Sequence, residues 1–379
     1  MNSGDGAPSM AARLSARLPA MLTDIERLVT CESPSTDRAA LAASTEVVAE
    51  LGTRLLGVAP DRVEAEGRVH LRWRLGEGPA KVLLLGHHDT VWPLGSLASH
   101  PYSVRDGVLR GPGCVDMKAG LVLALYAVHH LHAPAGVTLL ITCDEELGSP
   151  TSRALIEKEA AGCVAALVLE AAAAGGALKT ERKGVSRYRV RAHGRAAHAG
   201  LEPERGTNAT IELAHQVLAL AALNAPGRGT TVTPTLLSAG SSENTVPAAG
   251  EVAVDVRVRD TAEQQRVDTA VHALRPVLPG ARLEILGGPN RPPLTRDATA
   301  ALFERATRVA DRLGLPAPTA AAVGGGSDGN FTAGIGVPTL DGLGAVGGGA
   351  HADDEHVLVA ELAGRAALLA GLIEELVRP

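Results

Sequence analysis

The amino-acid sequence predicts an α/β protein in which a small α+β domain is inserted into a larger domain with a mixed sheet flanked by helices. Short apolar runs typical of buried strands alternate with helical periodicity over the first half of the chain. After Gly176 the predicted strands become half-exposed, and the first pattern returns after Pro293. A length of 379 residues is sufficient for two domains. We therefore place the larger domain at residues 1–178 and 292–379 and the inserted domain at residues 179–291.

The elements of the larger domain follow from the period of their apolar residues. Apolar positions three or four residues apart predict helices over residues 14–29, 38–55, 119–131, 152–159, 298–313 and 358–376. Apolar runs predict strands over residues 69–74, 81–85, 137–143, 165–169 and 337–340. Alternation of strands and helices implies helices on both faces of the sheet, with functional motifs at the strand ends.

The inserted domain is predicted to be a self-contained four-stranded unit with two helices. Its strands are predicted over residues 185–192, 233–239, 252–258 and 282–286, and its helices over residues 207–222 and 262–277. The pair Gly175-Gly176 and the proline-rich segment 289–293 bound it and are expected to act as hinges. At the start of the chain, residues 1–8 are polar, and we expect them to be frayed.

Composition excludes several classes of function. The net charge is -6 and aromatic residues make up 2% of the chain, which argues against a nucleic-acid partner. No run reaches the roughly 18 apolar residues of a membrane span, and charged residues interrupt the first helix where a signal peptide would need an apolar core. We expect a cytoplasmic protein without a membrane partner, and its four widely spaced cysteines are expected to be reduced.

The first chemically informative motif is His87-His88-Asp89, which follows the predicted strand 81–85. Side chains alternate along an extended chain, so His87 and Asp89 share a face and His88 points away. A metal-bound imidazole usually donates its other N–H to an acceptor such as a carboxylate, and Asp89 is placed for that. Two alternatives stay open: ligation by His88, and a solvated pair of histidines.

Acidic residues follow other predicted strands and turns. Asp116 lies between a glycine-rich turn and a helix, where it could bridge two cations or cap the helix. In Asp144-Glu145-Glu146, directly after an apolar strand, three acids repel each other unless cations neutralise them, although a solvated acidic turn is the alternative. Glu170 ends another strand, and His351 follows a glycine run. Together these residues offer imidazole and carboxylate ligands for a pair of zinc ions, with a free carboxylate as base.

In combination, these motifs resemble those of the M20 family of di-zinc metallopeptidases, nearest to its glutamate carboxypeptidase-like branch. The resemblance covers nearly the whole chain from about residue 20 and keeps the order of the family's motifs. The matching segments are GHHDTV at 86–91, GPGCVDMK at 111–118, DEELGS at 144–149, GRAAHAG at 194–200, NTVP at 244–247, DVR at 255–257, GGGSD at 324–328 and the segment around His351.

The resemblance implies a zinc-exopeptidase catalytic domain and a role for each matched residue. It implies two Zn²⁺ ions, replaceable by Co²⁺ or Mn²⁺, with His87 and Glu170 on one ion, Glu146 and His351 on the other, and Asp116 bridging. Asp89 would orient His87, Glu145 would be the general acid/base, and His198 would reach the substrate carbonyl. The substrate carboxylate would be held by residues matching Asn244, Arg257, Arg291, Gly325 and Gly326. Arg257 has an alternative reading as the partner of a neighbouring acid.

The activity implied is hydrolysis of the amide bond to a C-terminal amino acid that has a free carboxylate. The inserted domain would act as a lid and would join two chains in a homodimer. An N-acyl-amino-acid deacylase of aminoacylase or desuccinylase type would use the same ligands, so that alternative stays open. A binding protein without catalysis would require the loss of a ligand or of the base, and the chain has all of them. It departs from the family pattern at Ala171, usually proline, and Ala197, usually serine.

Overall fold

The computed structural model describes residues 9–378, so the expectation of a frayed segment at residues 1–8 lies outside the described residues. The helices are α1 (Met10–Ser15), α2 (Leu18–Thr30), α3 (Arg38–Leu56), α4 (Ala119–His129), α5 (Arg153–Ala160), α6 (Ala209–Ala221), α7 (Thr261–His272), α8 (Arg296–Leu313), α9 (Gly329–Gly334) and α10 (Leu362–Val377). The strands are β1 (Asp61–Ala65), β2 (Arg68–Leu75), β3 (Val82–His87), β4 (Ser103–Arg105), β5 (Val108–Arg110), β6 (Val137–Thr142), β7 (Ala165–Val168), β8 (Leu178–Arg182), β9 (Gly184–His193), β10 (Thr231–Ala239), β11 (Ala249–Val258), β12 (Arg282–Arg291), β13 (Ala320–Val323), β14 (Thr339–Leu340), β15 (Gly347–Gly348) and β16 (His356–Leu358).

The chain divides into two compact units. The larger unit contains the chain up to Glu181, the segment Leu294–Val323 and the chain from Ser327 onward. The smaller unit contains Arg182–Pro293 together with Gly324–Gly326.

A six-stranded mixed sheet organises the larger unit, in the order β1-β2-β6-β3-β7-β14. Strands β6, β3, β7 and β14 are parallel to one another, whereas β1 and β2 pair antiparallel. Every residue of β3, β6 and β7 is buried. Along β3, Leu84 packs into one apolar core and Leu83 and Leu85 into another, so both faces of the sheet are covered. This burial explains the continuous apolar runs in the sequence.

A second, smaller sheet in this unit has the order β15-β16-β5-β4 and is antiparallel. It pairs His356 with Arg110 and thereby brings the chain around residues 347–358 beside the glycine-rich turn that follows β5. These strands are two or three residues long, and their only buried residues are Leu109 and Val357, so their sequences carry no apolar pattern by which they could be predicted.

The smaller unit is an antiparallel sheet of order β10-β11-β9-β12 packed against α6 and α7. Valines at alternate positions of β11 form its core with Leu213 and Leu220 of α6 and Val267 and Val271 of α7. The opposite faces of these strands are half-exposed, which matches their alternating sequence pattern.

Three predicted helix boundaries are wrong. The single helix expected over residues 14–29 is two helices, because Pro19 has no N–H to donate and can enter a helix only in its first turn. The helix expected over residues 262–277 ends at His272, since Pro276 disfavours helical backbone in the residue before it. The helix expected from residue 358 begins at Leu362, because Leu358 pairs with Val108 in the small sheet.

The strand expected over residues 282–286 extends to Arg291. It therefore includes the first residues of the proline-rich segment 289–293 that was expected to be a hinge. Pairing with β9 continues through a register shift between Pro289 and Arg291, where proline cannot donate to the ladder. All four cysteines are free thiols. Within residues 9–378, none of the helices has the length and apolarity that a membrane span requires.

Candidate metal centre

His87 is the last residue of β3, and its side chain is buried where the parallel strands end. Its Nδ1 lies 2.9 Å from the backbone oxygen of Asp89 and 3.4 Å from Oδ1 of the same residue. These acceptors favour the tautomer of the neutral imidazole that has its proton on Nδ1. The lone pair on Nε2 is then available to a metal ion.

Asp116 presents its two carboxylate oxygens to two different imidazoles. Its Oδ1 lies 3.3 Å from Nε2 of His87, and its Oδ2 lies 3.3 Å from Nε2 of His351. The residue belongs to the irregular turn Cys114–Lys118, in which its own backbone is not helical and its bond to Met117 is cis. The alternative reading of Asp116 as a helix cap is wrong, because Lys118 occupies the N-cap position of α4.

Two glutamates complete a symmetric arrangement around Asp116. Oε1 of Glu170, two residues beyond β7, lies 3.4 Å from Nε2 of His87. Oε1 of Glu146 lies 3.2 Å from Nε2 of His351. Each imidazole therefore faces Asp116 and one glutamate, and the five residues proposed as ligands come together in one place.

His351 reaches this place from a tight turn that follows β15. Gly349 and His351 both have left-handed backbone, with φ of 71° and 65°. A glycine adopts this conformation at no steric cost, which is a physical reason for the glycine at position 349. The side chain of His351 is about half exposed, at 49%, so this half of the cluster is open to solvent.

The donor set fits a pair of divalent cations. Nε2 of His87 and Oδ1 of Asp116 are buried and lie 3.3 Å apart, yet neither has a well-aligned hydrogen bond. A buried polar atom without a partner costs about 1–3 kcal/mol, and a cation between the two atoms would satisfy both. Donor atoms of His87, Asp116 and Glu146 all lie within 4.8 Å of one another. Imidazole and carboxylate ligands around one shared carboxylate are typical of paired zinc ions.

The electrostatics of the cluster favour added positive charge. Although burial raises the pKa of Asp116, its contacts with His351 and His87 lower that pKa well below its usual value. Contacts with Asp116 and Glu146 are the largest cause for His351 and raise its pKa to about 10. Burial raises the pKa of Glu146. Three carboxylates against two imidazoles leave an excess of negative charge that divalent cations would neutralise.

Asp89 connects the histidine strand to the acidic turn. The backbone N–H of Glu145 donates to its Oδ1 at 3.3 Å, and that of Glu146 donates to its Oδ2 at 3.2 Å. The hydroxyl of Ser35 donates to Oδ2 at 2.7 Å. Burial opposes ionisation of Asp89, but the contact with His87 and the bond from Ser35 lower its pKa to about 2. One buried carboxylate therefore positions both His87 and the turn that carries Glu145 and Glu146.

Two neighbouring residues lie outside the cluster. His88 points away from it, with Nδ1 3.0 Å from Ser44 Oγ and Nε2 3.3 Å from Thr45 Oγ1. Asp144 is fully buried, and it accepts hydrogen bonds from the backbone and hydroxyl of Thr151 and from the hydroxyl of Ser152, at 2.6–2.7 Å. The repulsion expected among the three acids of this turn therefore needs no cation at Asp144, because neutral donors satisfy its carboxylate.

Glu355 is a buried residue that the sequence interpretation missed. Its Oε1 accepts hydrogen bonds from the backbone N–H groups of Val115 and Asp116, and its Oε2 from that of Gly113 and from the indole of Trp92. It thereby fixes the turn on which Asp116 is carried. The sequence shows three consecutive acids at residues 353–355, and nothing in that pattern identifies the buried one.

His198 belongs to the smaller unit and is exposed there. Its Nδ1 accepts hydrogen bonds from the backbone N–H groups of Gly200 and Leu201, both at 3.1 Å. An accepting Nδ1 puts the proton of the neutral imidazole on Nε2. His198 is therefore built as a hydrogen-bond donor through Nε2, a property that no spacing in the sequence reveals.

The proposed carboxylate-binding residues also belong to the smaller unit. The backbone oxygen of Asn244 accepts from the N–H of Ala199 at 2.9 Å, beside His198. Arg257 forms two hydrogen bonds with Asp255, at 2.7 and 2.9 Å, as its alternative reading expects. Arg291 is buried at the end of β12, with 4% exposure. The guanidinium of Arg182 donates to the carbonyls of Gly325 and Gly326, at 3.1 and 3.4 Å.

A mixed α/β domain with imidazoles and carboxylates gathered at its strand ends defines a metal-dependent hydrolase. The sequence model of peptidase family M20/M25/M40 matches residues 83–375, so the chain belongs to that family. It is accordingly an enzyme that hydrolyses amide bonds, as the sequence motifs predict.

Individual relatives agree with this assignment. The chain is 29% identical to carboxypeptidase G2 of Pseudomonas sp. over 375 residues, which cover 94% of this chain and 89% of that one. It is 29% identical to the succinyl-diaminopimelate desuccinylase of Stenotrophomonas maltophilia (strain K279a) over 330 residues, covering 79% and 85% of the two chains.

Solved structures confirm the fold. A tripeptidase from Staphylococcus aureus superposes with a TM-score of 0.72 at 22% identity, covering 96% of this chain and 99% of that one. An M20 family metallo-carboxypeptidase from Sulfolobus solfataricus superposes with a TM-score of 0.68 at 16% identity, covering 94% and 98%. At these identities the likeness concerns the fold alone.

Proposed function

We propose that this chain is a two-zinc carboxypeptidase, which cleaves the amide bond to a C-terminal amino acid with a free carboxylate. The observation that carries the proposal is the position of Asp116, whose two oxygens face His87 and His351 at 3.3 Å each. His87, Glu170 and Asp116 would hold one ion, and His351, Glu146 and Asp116 the other. Co²⁺ or Mn²⁺ could replace zinc in the same ligand set.

When bound, the two ions supply Lewis acidity and a water molecule whose pKa is lowered to about 7. The protein's own residues then carry out the proton transfers. Glu145, at 8% exposure and on a turn fixed by Asp89, accepts the proton of the attacking water. It then delivers the proton to the departing nitrogen. His198 donates its Nε2–H to the oxyanion that develops on the scissile carbonyl, within its own chain or across a dimer.

Asn244, Arg257, Arg291 and the glycine pair Gly325-Gly326 are proposed to hold the substrate's α-carboxylate. Of these, Arg257 already binds a carboxylate in bidentate fashion, that of Asp255. A substrate carboxylate would share or replace this partner, and planar fork-to-fork geometry makes arginine suited to either. The carbonyls of Gly325 and Gly326 accept hydrogen bonds from Arg182. In this proposal, the backbone N–H groups of the two glycines would donate to the substrate carboxylate.

An N-acyl-amino-acid deacylase is the second candidate, and the similarity to a succinyl-diaminopimelate desuccinylase favours it. The same metal ligands, base and oxyanion donor serve both reactions, because the bond broken is an amide in each case. The two candidates differ in the acyl side, a peptide for the carboxypeptidase and a simple acid for the deacylase.

We further propose that the chain forms a homodimer through the smaller unit. Strand β10 is at the edge of its sheet, and it exposes Leu236 and Leu237 at 70% and 54%. Helix α6 exposes Leu218 at 70% and Ile211 at 48%. An exposed apolar edge strand is a template for pairing with another chain. Light scattering of the wild type and of Leu236→Lys would test this, with a change from dimer to monomer expected in the variant.

A substrate panel tests the proposed activity. Purified enzyme loaded with zinc would be given N-acyl amino acids and dipeptides that share one C-terminal residue, each beside its C-terminal amide. The free acids are expected to be hydrolysed. For the amides we expect kcat/KM to be at least about tenfold lower, because the charged group that binds the carboxylate is left without its partner. Equal rates for acids and amides would overturn recognition of the carboxylate. Preference for a dipeptide or for a simple acyl group decides between the two candidates.

A further inference from the structure

A cavity lies in the larger unit, and none of the five proposed metal ligands lines it. It measures about 550 Å³ and is lined by Trp92, residues 99–103, Arg105, Arg110 and Gly111, and by Asp353 and Glu355. Pockets for small molecules commonly have volumes of about 300–1,000 Å³. The cavity is therefore large enough for a small organic ligand.

Aromatic rings form one wall of this cavity. The rings of Trp92 and His100 pack with centroids 4.8 Å apart, and Tyr102 lines the same cavity. The indole N–H of Trp92 donates to Glu355 at 2.6 Å, and the hydroxyl of Tyr102 donates to the carbonyl of Leu22 at 3.1 Å. These bonds use the polar atoms of both side chains and hold the rings in place. A planar ring is the ligand group that such a wall favours.

Two arginines, Arg105 and Arg110, also line the cavity. Strands β4 and β5 pair Ser103 with Arg110, so Arg105 lies on the same face as Arg110 and diagonal to it, about 7–8 Å away between backbones. Within residues 9–378 neither guanidinium has an ion pair, and Arg110 donates one hydrogen bond, to the carbonyl of Asp354 at 3.2 Å. Two like charges on one face repel each other, and an anion between them would relieve that repulsion.

The two acidic residues of the cavity have other partners and form no ion pair with these arginines. Glu355 accepts four hydrogen bonds, three from backbone N–H groups and one from Trp92. Asp353 lies 3.3 Å from Nε2 of His100. The lining of the cavity therefore includes a group of aromatic rings and two arginines that are not paired with its acids.

We propose that this cavity binds a small aromatic carboxylate, with its ring against Trp92 and His100 and its carboxylate on Arg105 and Arg110. Both features of the ligand are required. An aliphatic acid offers no ring to the aromatic wall, and a neutral aromatic amide offers no charge to the arginines. The inference does not rest on the proposed function, since none of these four residues is assigned to metal, base or substrate.

Tryptophan fluorescence of the zinc-loaded protein provides the test. The chain has two tryptophans, Trp73 and Trp92, so Trp73→Phe leaves the cavity residue as the single reporter. Benzoate is expected to change its emission in a saturable way. Cyclohexanecarboxylate, which lacks the aromatic ring, and benzamide, which lacks the charge, are each expected to bind at least about tenfold more weakly. Calorimetric titration of the chain with both tryptophans makes the same comparison without relying on that variant's folding.

A pair of arginine variants locates the binding. Arg105→Gln is expected to weaken benzoate binding at least about tenfold. Arg38→Gln, which removes the same charge from an exposed position on α3, is expected to leave it unchanged. Equal affinity in Arg105→Gln and the wild type would overturn the proposal, because benzoate would then be bound elsewhere, including at the metal ligands. Absence of saturation, or equal binding of the three probes, would overturn it as well.

Discussion

The carboxylate of Glu355 accepts a hydrogen bond from the backbone N–H of Asp116, at 3.1 Å from Oε1. The residue that faces both imidazoles of the candidate centre is therefore positioned by a second acid, 239 residues away in sequence. The same carboxylate binds the N–H groups of Gly113 and Val115, so it fixes the whole turn. Precise placement of Asp116 matters because a bridging ligand must satisfy two ions at once.

The first prediction concerns Glu355→Gln. Glutamine keeps the shape, but its amide NH₂ group faces backbone N–H donors, so at least one buried donor loses its acceptor at a cost of about 1–3 kcal/mol. We expect a lower melting temperature and faster loss of zinc during dialysis against a chelator. The matched control is Glu361→Gln, at an exposed position. Zinc retention and melting temperature equal to those of the wild type would contradict the role assigned to Glu355.

The second prediction concerns the base. Replacing Glu145 with alanine or with glutamine removes the proton acceptor and leaves the five proposed ligands in place. We expect kcat to fall at least about a hundredfold in both variants, with zinc content unchanged. Steady-state kinetics and metal analysis on the same preparations check this. Full activity in Glu145→Gln would show that another group takes the proton.

The third prediction concerns His198, whose Nδ1 is an acceptor and whose Nε2 is therefore a donor. Loss of an oxyanion donor lowers kcat, and for His198→Ala we expect a fall of at least about tenfold with unchanged zinc content. His132→Ala, at an exposed position of the larger unit, is the control and should keep the wild-type rate. Wild-type kcat in His198→Ala would exclude the residue from catalysis.

The fourth prediction concerns stability and sets two opposing effects against each other. Alanine improves helix propensity over glycine by about 1 kcal/mol. At Gly52 in α3, however, an added Cβ would lie 2.3 Å from the ring of the buried Trp73, and such overpacking costs about 1–3 kcal/mol. Gly52→Ala should therefore destabilise the chain. Gly364→Ala in α10, where the nearest atom lies at 3.6 Å, should not.

Thermal unfolding of the two glycine variants decides this prediction. The expected order of melting temperatures is Gly52→Ala below the wild type, with Gly364→Ala at or above it. A stabilised Gly52→Ala would mean that Trp73 moves aside more easily than its packing indicates.

The sequence predicts the parts of the fold whose burial determines their composition. Strands β3, β6 and β7 are buried on both faces, so their apolar runs are unambiguous. Strands β4 and β5 form a hairpin around the two-residue turn Asp106-Gly107, a local signal that the sequence interpretation did not use. Strand β16 pairs with β5 from a distant part of the chain, and no local pattern encodes such pairing.

In the candidate site, too, the sequence reveals the residues that a local pattern identifies and misses those that depend on distant contacts. Residues with a chemical type that zinc requires, such as His87 and His351, stand out in motifs. Residues that position the ligands through hydrogen bonds do not stand out, because their identity becomes informative only once the chain is folded. Examples are Glu355, which accepts from the backbone of the turn around Asp116, and Ser35, which donates to the carboxylate of Asp89. Asp144 shows the converse, since the acidic run indicated that cations relieve the repulsion among its three acids, while Asp144 is satisfied by neutral donors of Thr151 and Ser152.

The most direct test of the central claim is the zinc content per chain of the wild type and of Asp116→Asn, measured by elemental analysis after removal of loosely bound metal. The account predicts two zinc ions per wild-type chain and one or fewer in the variant, because an asparagine side chain cannot bridge two cations with two anionic oxygens. Asp106→Asn, at an exposed turn with left-handed backbone that asparagine tolerates, should keep both ions. A single ion in the wild type, or two in Asp116→Asn, would contradict the proposed centre.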